Sequence, residues 1–179
     1  MNYIYADHAA TTATSAVARE AMNDCMENFY GNPSSLHTVG QKAAEKLWES
    51  REIMAKYLHA KPEEIYFTSG GSEADNQALL TAAMIGKKKG KKHIISTAFE
   101  HHAVLHSLKR LEKDGFEVTL LPVHEDGIVR LEDLKDAIRE DTVCVSVMYA
   151  NNEIGTIQPI AEIGALCREK GILFLTDAV

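Results

Sequence analysis

Phe67-Thr68-Ser69-Gly70-Gly71-Ser72-Glu73-Ala74-Asp75-Asn76 is the stretch on which the reading of this chain turns. It follows a short apolar run, Glu64-Ile65-Tyr66-Phe67, and opens a helical pattern through Leu79, Leu80, Ala83 and Met84. The segment is therefore predicted as a strand, a glycine turn and a helix N-terminus. Two glycines let backbone approach an anion, and the free N–H groups of a first helical turn point at it with the positive end of the helix dipole. Ser72 is predicted as the N-cap, with Asp75 three residues on as in a capping box. Neither G-x-G-x-x-G nor G-x-x-x-x-G-K-[ST] is present. A phosphate site and a plain structural turn both remain open at this point.

Upstream, Tyr3-Ile4-Tyr5 reads as a short strand. Asp7-His8-Ala9-Ala10-Thr11-Thr12 reads as a small-residue turn leading to a helix capped near Thr14 or Ser15, with Val17, Ala21, Met22, Cys25 and Met26 on one face. Gly31-Asn32-Pro33-Ser34-Ser35 breaks that pattern. A long amphipathic helix follows, striped by Ala44, Leu47, Trp48, Arg51, Met54 and Leu58, and ends near His59-Ala60-Lys61-Pro62.

Downstream, strand and helix patterns alternate: His93 to Thr97, a helix through Leu105, Leu108 and Leu111, and Phe116 to Leu121. Then come a helix from Leu131 to Ile138, Thr142 to Met148, a helix from Ile160 to Lys170, and Ile172 to Thr176. Thr142 to Met148 is apolar almost throughout, as a strand covered on both faces should be. This alternation predicts an α/β fold, a mostly parallel sheet with helices on both faces, whose ligands sit outside the carboxyl ends of the strands. The lysines from Lys87 to Lys92 read as a solvated turn, since cations commonly end a helix before a glycine stop. Finishing on an apolar strand with no helix to cover it reads as part of a longer protein.

A charge of -7 and a pI near 5.6 exclude a general nucleic-acid binder. No stretch has the length of a membrane span and no signal peptide opens the chain, so cytoplasmic residence is expected. Cys25, Cys144 and Cys167 are odd in number and far apart, which points to three buried thiols rather than disulfides or zinc ligands. No metal site is expected: His102 and His106 share a helix face but lack the glutamate of H-E-x-x-H.

The candidate site residues all follow strands. They are Gly71 and Ser72, His101, Asn152 beside Asn151, and Asp177. Taken singly each has a plain reading: a turn, a helix-start histidine, an amide pairing with backbone, an acid held by an arginine or an N–H. Taken together they form a phosphate cup, a stacking imidazole, an amide and a carboxylate able to keep a ring nitrogen protonated. That set describes a pocket for pyridoxal 5′-phosphate.

Asp7-His8-Ala9-Ala10-Thr11-Thr12, Gly31-Asn32-Pro33-Ser34-Ser35, the stretch from Phe67 to Asn76, Glu100-His101, Asn151-Asn152-Glu153-Ile154-Gly155 and Asp177-Ala178 together resemble the cysteine desulfurases of the bacterial NifS and IscS group. The resemblance implies the large domain of a fold-type I pyridoxal-phosphate enzyme, truncated, with residues 1–15 as an N-terminal segment at the active-site turn and residues 16–179 as the first part of that domain. It implies a homodimer that takes sulfur from L-cysteine, leaves L-alanine, and passes a persulfide to an iron-sulfur scaffold or another sulfur-acceptor protein. By motif, Gly71 and Ser72 would hold the cofactor phosphate, where many relatives have Ala-Thr. His101 would stack on the ring and move protons, Asn152 would bond near the ring hydroxyl, and Asp177 would pair with the ring nitrogen. The family's anchoring lysine in Ser-Gly-His-Lys and its loop cysteine have no counterpart in these residues, so residues 1–179 alone are expected to be inactive. A selenocysteine lyase or aminotransferase of the same superfamily, and a non-catalytic dimerising or partner-binding module, are the alternatives.

Overall fold

The computed structural model describes residues 4–179 and divides into two compact units, Met1–Phe67 and Thr68–Val179. The first holds α1 (Ala16–Asn28) and α2 (Thr38–Leu58). Ser15 caps α1, its hydroxyl accepting the Ala18 N–H at 3.2 Å, and His37 caps α2, its Nδ1 accepting the Gly40 N–H at 3.3 Å. Gly40 is required there: a Cβ would stand 2.5 Å from the Ser35 carbonyl oxygen. The helix closes on His59 in the left-handed conformation and is followed by a 3-10 turn at Pro62–Glu64.

Two expected strands are not found among the described residues. Tyr3 lies outside the described residues, and Ile4 and Tyr5 belong to no ladder. Ile65, Tyr66 and Phe67 run without a partner strand among the described residues; their chain is held by the Arg51 guanidinium, which donates to the Ile65 carbonyl and lies over the Phe67 ring at 5.2 Å. The apolar stripe of α2 is also less covered than its periodicity implies, with Leu47, Trp48, Met54 and Leu58 exposed and only Gly40, Ala43 and Ala55 buried. Within this unit there is too little chain to cover it.

The second unit follows the expected alternation: α3 (Gly71–Lys88), β1 (His93–Thr97), α4 (His102–Lys113), β2 (Glu117–Leu121), α5 (Leu131–Ala137), β3 (Thr142–Ser146), α6 (Ile160–Lys170) and β4 (Leu173–Leu175). The sheet is parallel throughout, in the order β2-β1-β3-β4. Successive side chains of a strand point to opposite faces, so Ile94 enters a core with Leu79, Ala83, Val104 and Leu108, while Ile95 enters another with Leu134, Val145, Ile163 and Cys167. Thus α3 and α4 cover one face and α5 and α6 the other. β3 is buried at every residue, as its composition predicts.

At the amino ends of the strands, His93 is fully buried, with Nδ1 2.8 Å from Thr142 Oγ1 and Nε2 2.8 Å from Thr119 Oγ1. One imidazole thereby links β2, β1 and β3. The expectation of buried thiols holds for Cys144 and Cys167; Cys25 is half-buried, because α1 presents it on a face with no buried residue.

Candidate active site

Strand order determines where a crevice can open. From β1 the chain passes through α4 to β2 on one side, then through α5 back across to β3 on the other, so the order reverses between β1 and β3. Loops leaving the carboxyl ends of two such strands diverge and leave a cleft. A cavity of about 250 Å³ lies there, between the loop after β1 and the loop after β3, lined among others by Glu100, His101, His102, Leu105, Asn152 and Ile154.

His101 is the N-cap of α4, where its Nδ1 accepts the Ala103 N–H at 3.2 Å. Accepting at Nδ1 leaves the ring proton on Nε2, which faces away from that bond. The ring is exposed. His102 and His106 stack at 5.7 Å on an exposed stretch of α4.

The loop after β3 is held at both flanks. Tyr149 N–H donates to the Asp177 carbonyl at 2.7 Å, Gln158 N–H to the Tyr149 carbonyl at 2.9 Å, and Asn151 N–H to the Thr156 carbonyl at 3.0 Å. Gln158, itself buried, accepts the Val129 N–H and donates to the Gly127 carbonyl. The adjacent asparagines have separate tasks. Asn151 is buried and spends its amide on the backbone of Phe99, Glu153 and Ile154. Asn152 is exposed at the cavity, with its amide free of bonds within the unit.

The glycine turn differs from its sequence reading in detail. Ser72 is not the N-cap and Asp75 makes no capping box; α3 begins at Gly71 with Gly70 as N-cap. Glu73 instead reaches back, its Oε2 accepting from Ser69 N–H at 2.7 Å and Ser69 Oγ–H at 2.6 Å, which draws its carboxyl below the usual range. With no side chain at Gly70, this clasp shapes the turn. Ser72 is then left with an exposed hydroxyl in the first turn, beside the N–H groups of Gly71 and Ser72, which have no intrahelical acceptor. Gly71 faces the end of the chain: a Cβ there would stand 2.7 Å from Val179 Cγ2.

Asp177 follows β4, half-buried, with its Oδ1 accepting the Val179 N–H at 3.1 Å. It lies near enough to Asp75 and Glu100 to raise the proton affinity of both. These two acids are the site residues that sequence reading missed. Glu100 is 4% exposed; its Oε1 accepts from Thr97 Oγ1 at 2.7 Å and Met148 N–H at 2.9 Å, while its buried Oε2 has no partner among the described residues. Burial is the main cause that pushes its carboxyl up to about 7. Asp75 is 6% exposed and is pushed up to about 6 by burial and by Asp177, against a smaller opposing effect of His101. Asp75 did leave a signal, a charge in the stripe of Gly71, Leu79, Ala82 and Ala83. Glu100 stands in the Glu100-His101 pair that carries the resemblance, but nothing in that irregular corner signals its burial.

His101 therefore meets Asn152 at the cavity, and Gly71 meets the segment that carries Asp177. An exposed hydroxyl and free helical N–H groups suit a dianionic phosphate, a carboxylate suits a protonated ring nitrogen, and an imidazole suits a flat ring. This donor set fits pyridoxal 5′-phosphate.

The model of the aminotransferase class-V family matches residues 4–179. A cysteine desulfurase IscS of Clostridium botulinum (strain Kyoto / Type A2) is 54% identical over 176 residues, which are 98% of this chain and 44% of that protein. Among solved structures, a NifS-like protein superposes with a TM-score of 0.92 at 41% identity, over 97% of this chain and 48% of that one. SspA in complex with cysteine superposes with a TM-score of 0.88 at 37% identity, over 96% and 49%. The chain thus spans about half the length of the relatives it matches.

Proposed function

From a chain that belongs to the aminotransferase class-V family, we propose a cysteine desulfurase, of which these residues form much of the cofactor cup. Residues 16–179 are the first part of its cofactor-binding large domain and residues 1–15 a separate N-terminal segment. The whole protein converts L-cysteine to L-alanine and passes the sulfur, as a persulfide, to an iron-sulfur scaffold or other acceptor protein. It works as a homodimer in the cytoplasm. The names of the relatives and the cysteine complex of a structural neighbour support the substrate.

One observation carries the reading: His101, Asn152 and Asp177 hang from the carboxyl ends of β1, β3 and β4, three adjacent strands, in the unit that also presents the free N–H groups of α3. Bound pyridoxal 5′-phosphate supplies an electron sink for the substrate α-carbon. Gly71 and Ser72 hold its phosphate by N–H and hydroxyl, and Asp177 keeps the ring nitrogen protonated. His101 would stack on the ring, with its ring proton on Nε2. Asn152 donates its amide to the ring hydroxyl.

Full-length protein incubated with the cofactor, L-cysteine and a thiol reductant yields alanine and sulfide in equal amounts. Alanine without sulfur release, or no turnover, would sink the reading. Residues 1–179 contain no Ser-Gly-His-Lys motif, and expressed alone they release no sulfide.

A further inference from the structure

Glu100 immediately precedes His101 in the chain, and Asn151 immediately precedes Asn152. The two leading residues are buried, while the residues that follow them are exposed at one cavity. Each leading side chain crosses to the other loop. Glu100 Oε1 accepts the Met148 N–H at 2.9 Å, and Asn151 Nδ2 donates to the Phe99 carbonyl at 3.0 Å. The orientation of the Asn151 amide follows from its other bonds: Oδ1 accepts the N–H groups of Glu153 at 2.9 Å and Ile154 at 3.0 Å, so Nδ2 is the end that faces Phe99.

These bonds lie where the sheet no longer sets a separation. The register of β1 on β3 runs as far as Ile95 opposite Val145, and past the strand ends at Thr97 and Ser146 the two loops diverge. Among the described residues, the bonds of Glu100 and Asn151 are the two hydrogen bonds that join the loops there. A carboxyl is also a costly filling for this corner, because Glu100 Oε2 is buried without a partner among the described residues. An apolar side chain would avoid that cost but could not hold Met148.

We propose that Glu100 and Asn151 are positioning residues, a reciprocal clamp that fixes the spacing of His101 and Asn152 and with it the slot that receives a flat heteroaromatic ring. The inference rests on the cofactor reading of His101 and Asn152. Neither clamp residue need touch the ring; each acts through the residue that follows it. With a crossing bond gone, each loop keeps internal bonds, such as the His101 cap of α4 and the Asn151 N–H to Thr156, but their separation is free to vary. A slot of variable width holds a ring less well. Gly71 and Ser72, on another element, keep their hold on a phosphate.

The test uses full-length protein freed of cofactor. Dissociation constants are measured near pH 8 for 4-deoxypyridoxine 5′-phosphate, which has the ring, its hydroxyl and the phosphate but no aldehyde, and for inorganic phosphate. Glu100→Leu removes the acceptor for Met148. Asn151→Asp, held ionised by the two N–H groups it accepts, can no longer donate to Phe99. Each variant should bind the analogue about tenfold more weakly, the scale of one lost positioning bond, and inorganic phosphate within about twofold of wild type. Glu100→Gln, which presents a carbonyl oxygen to Met148, should recover most of the loss. Unchanged analogue affinity in either variant overturns the inference, as does an equal loss for inorganic phosphate, or Glu100→Gln binding as weakly as Glu100→Leu. If Glu100→Leu does not fold, Asn151→Asp is held to the same two affinities. The pair His101→Ala and Asn152→Ala, made together, separates the underlying reading. Should that protein bind the analogue as tightly as wild type, the cofactor reading fails. If it binds weakly and either clamp substitution added to it costs the full loss again, the reading stands and the clamp fails; a further loss within about twofold supports the clamp.

Discussion

The Met148 N–H donates to Glu100 Oε1 at 2.9 Å, and this bond ties the corner that carries His101 to the end of the strand from which the Asn152 loop departs. Thr97 Oγ1 donates to the same oxygen at 2.7 Å, so Glu100 joins β1 to β3 where the crevice opens. Its carboxyl lies near 7 in the folded chain, against 4.5 for an unburied glutamate. Between those values the folded state binds more protons than the unfolded one, so the group's contribution is complete below pH 4.5 and is lost as pH rises to about 7. Glu100→Gln keeps an acceptor for Met148 and removes the titration. It is expected to be more stable than wild type near pH 8, by at most about 3 kcal/mol, and to lack the decline. Parallel stability curves for the two proteins between pH 5 and 8, measured by denaturant unfolding, would refute this.

His93 gives the opposite slope. Burial between Thr142 and Thr119 depresses its basicity, Arg139 adds to the effect, and Asp141 and Glu117 oppose it. The unfolded chain takes up a proton near 6.5 that the folded chain refuses, so stability falls as pH drops below that value. In His93→Gln, which cannot titrate, the acid-side loss should shrink. An unchanged loss in thermal melts from pH 7 to pH 5 would mean that His93 is not its source.

Gly71 should accept alanine. Its backbone is not in the left-handed region, and the atom that a Cβ would meet belongs to the exposed side chain of Val179, which can move aside. Gly71→Ala is expected to gain about 0.5 to 1 kcal/mol from lower unfolded-state entropy, with cofactor affinity within twofold. A drop in the melting temperature would show that the turn needs glycine for close approach.

Of the thiols in residues 1–179, Cys25 alone should react in the native protein. Burial pushes the Cys144 thiol up to about 12 and the Cys167 thiol up to about 11. Thiolate is the reacting species, so both are inert near pH 8 as well as shielded. Brief iodoacetamide treatment followed by peptide mass spectrometry should find the label on Cys25. Rapid labelling of Cys144 would contradict the core described above.

His101→Ala in the full-length protein should reduce turnover while the melting temperature stays within a few degrees, because the cap it removes is worth about 1 kcal/mol. A large loss of stability with normal specific activity would make the histidine a helix cap and nothing more.

Where local chemistry decides a feature, the sequence announced it: Ser15 at the start of α1, Gly171 in the left-handed turn after α6, and the apolar run of β3 lie where their residue types require. Features that depend on a remote partner were not legible. Ile65, Tyr66 and Phe67 have strand composition, but a strand exists only with a neighbour to bond, and none is present among the described residues. Ser72 has the chemistry of a cap, yet the Ser69–Glu73 clasp had already shaped the turn. Asp177, His101 and Asn152 were placed after strands because strand ends can be read from periodicity. The burial of Asp75 and Glu100 was not legible, because burial of an acid is a tertiary property.

The loop from Tyr149 to Gln158 is fastened at both ends, to the segment after β4 through Tyr149 and to the segment before α5 through Gln158, while Asn152 to Gly155 project from it. Such an arrangement separates inheritance of the fold from inheritance of the ligand. Substitutions at the tip can be sampled one at a time without disturbing the ladder beneath, so the loop after β3 is where a related protein could acquire a different substrate at the least cost to its own folding.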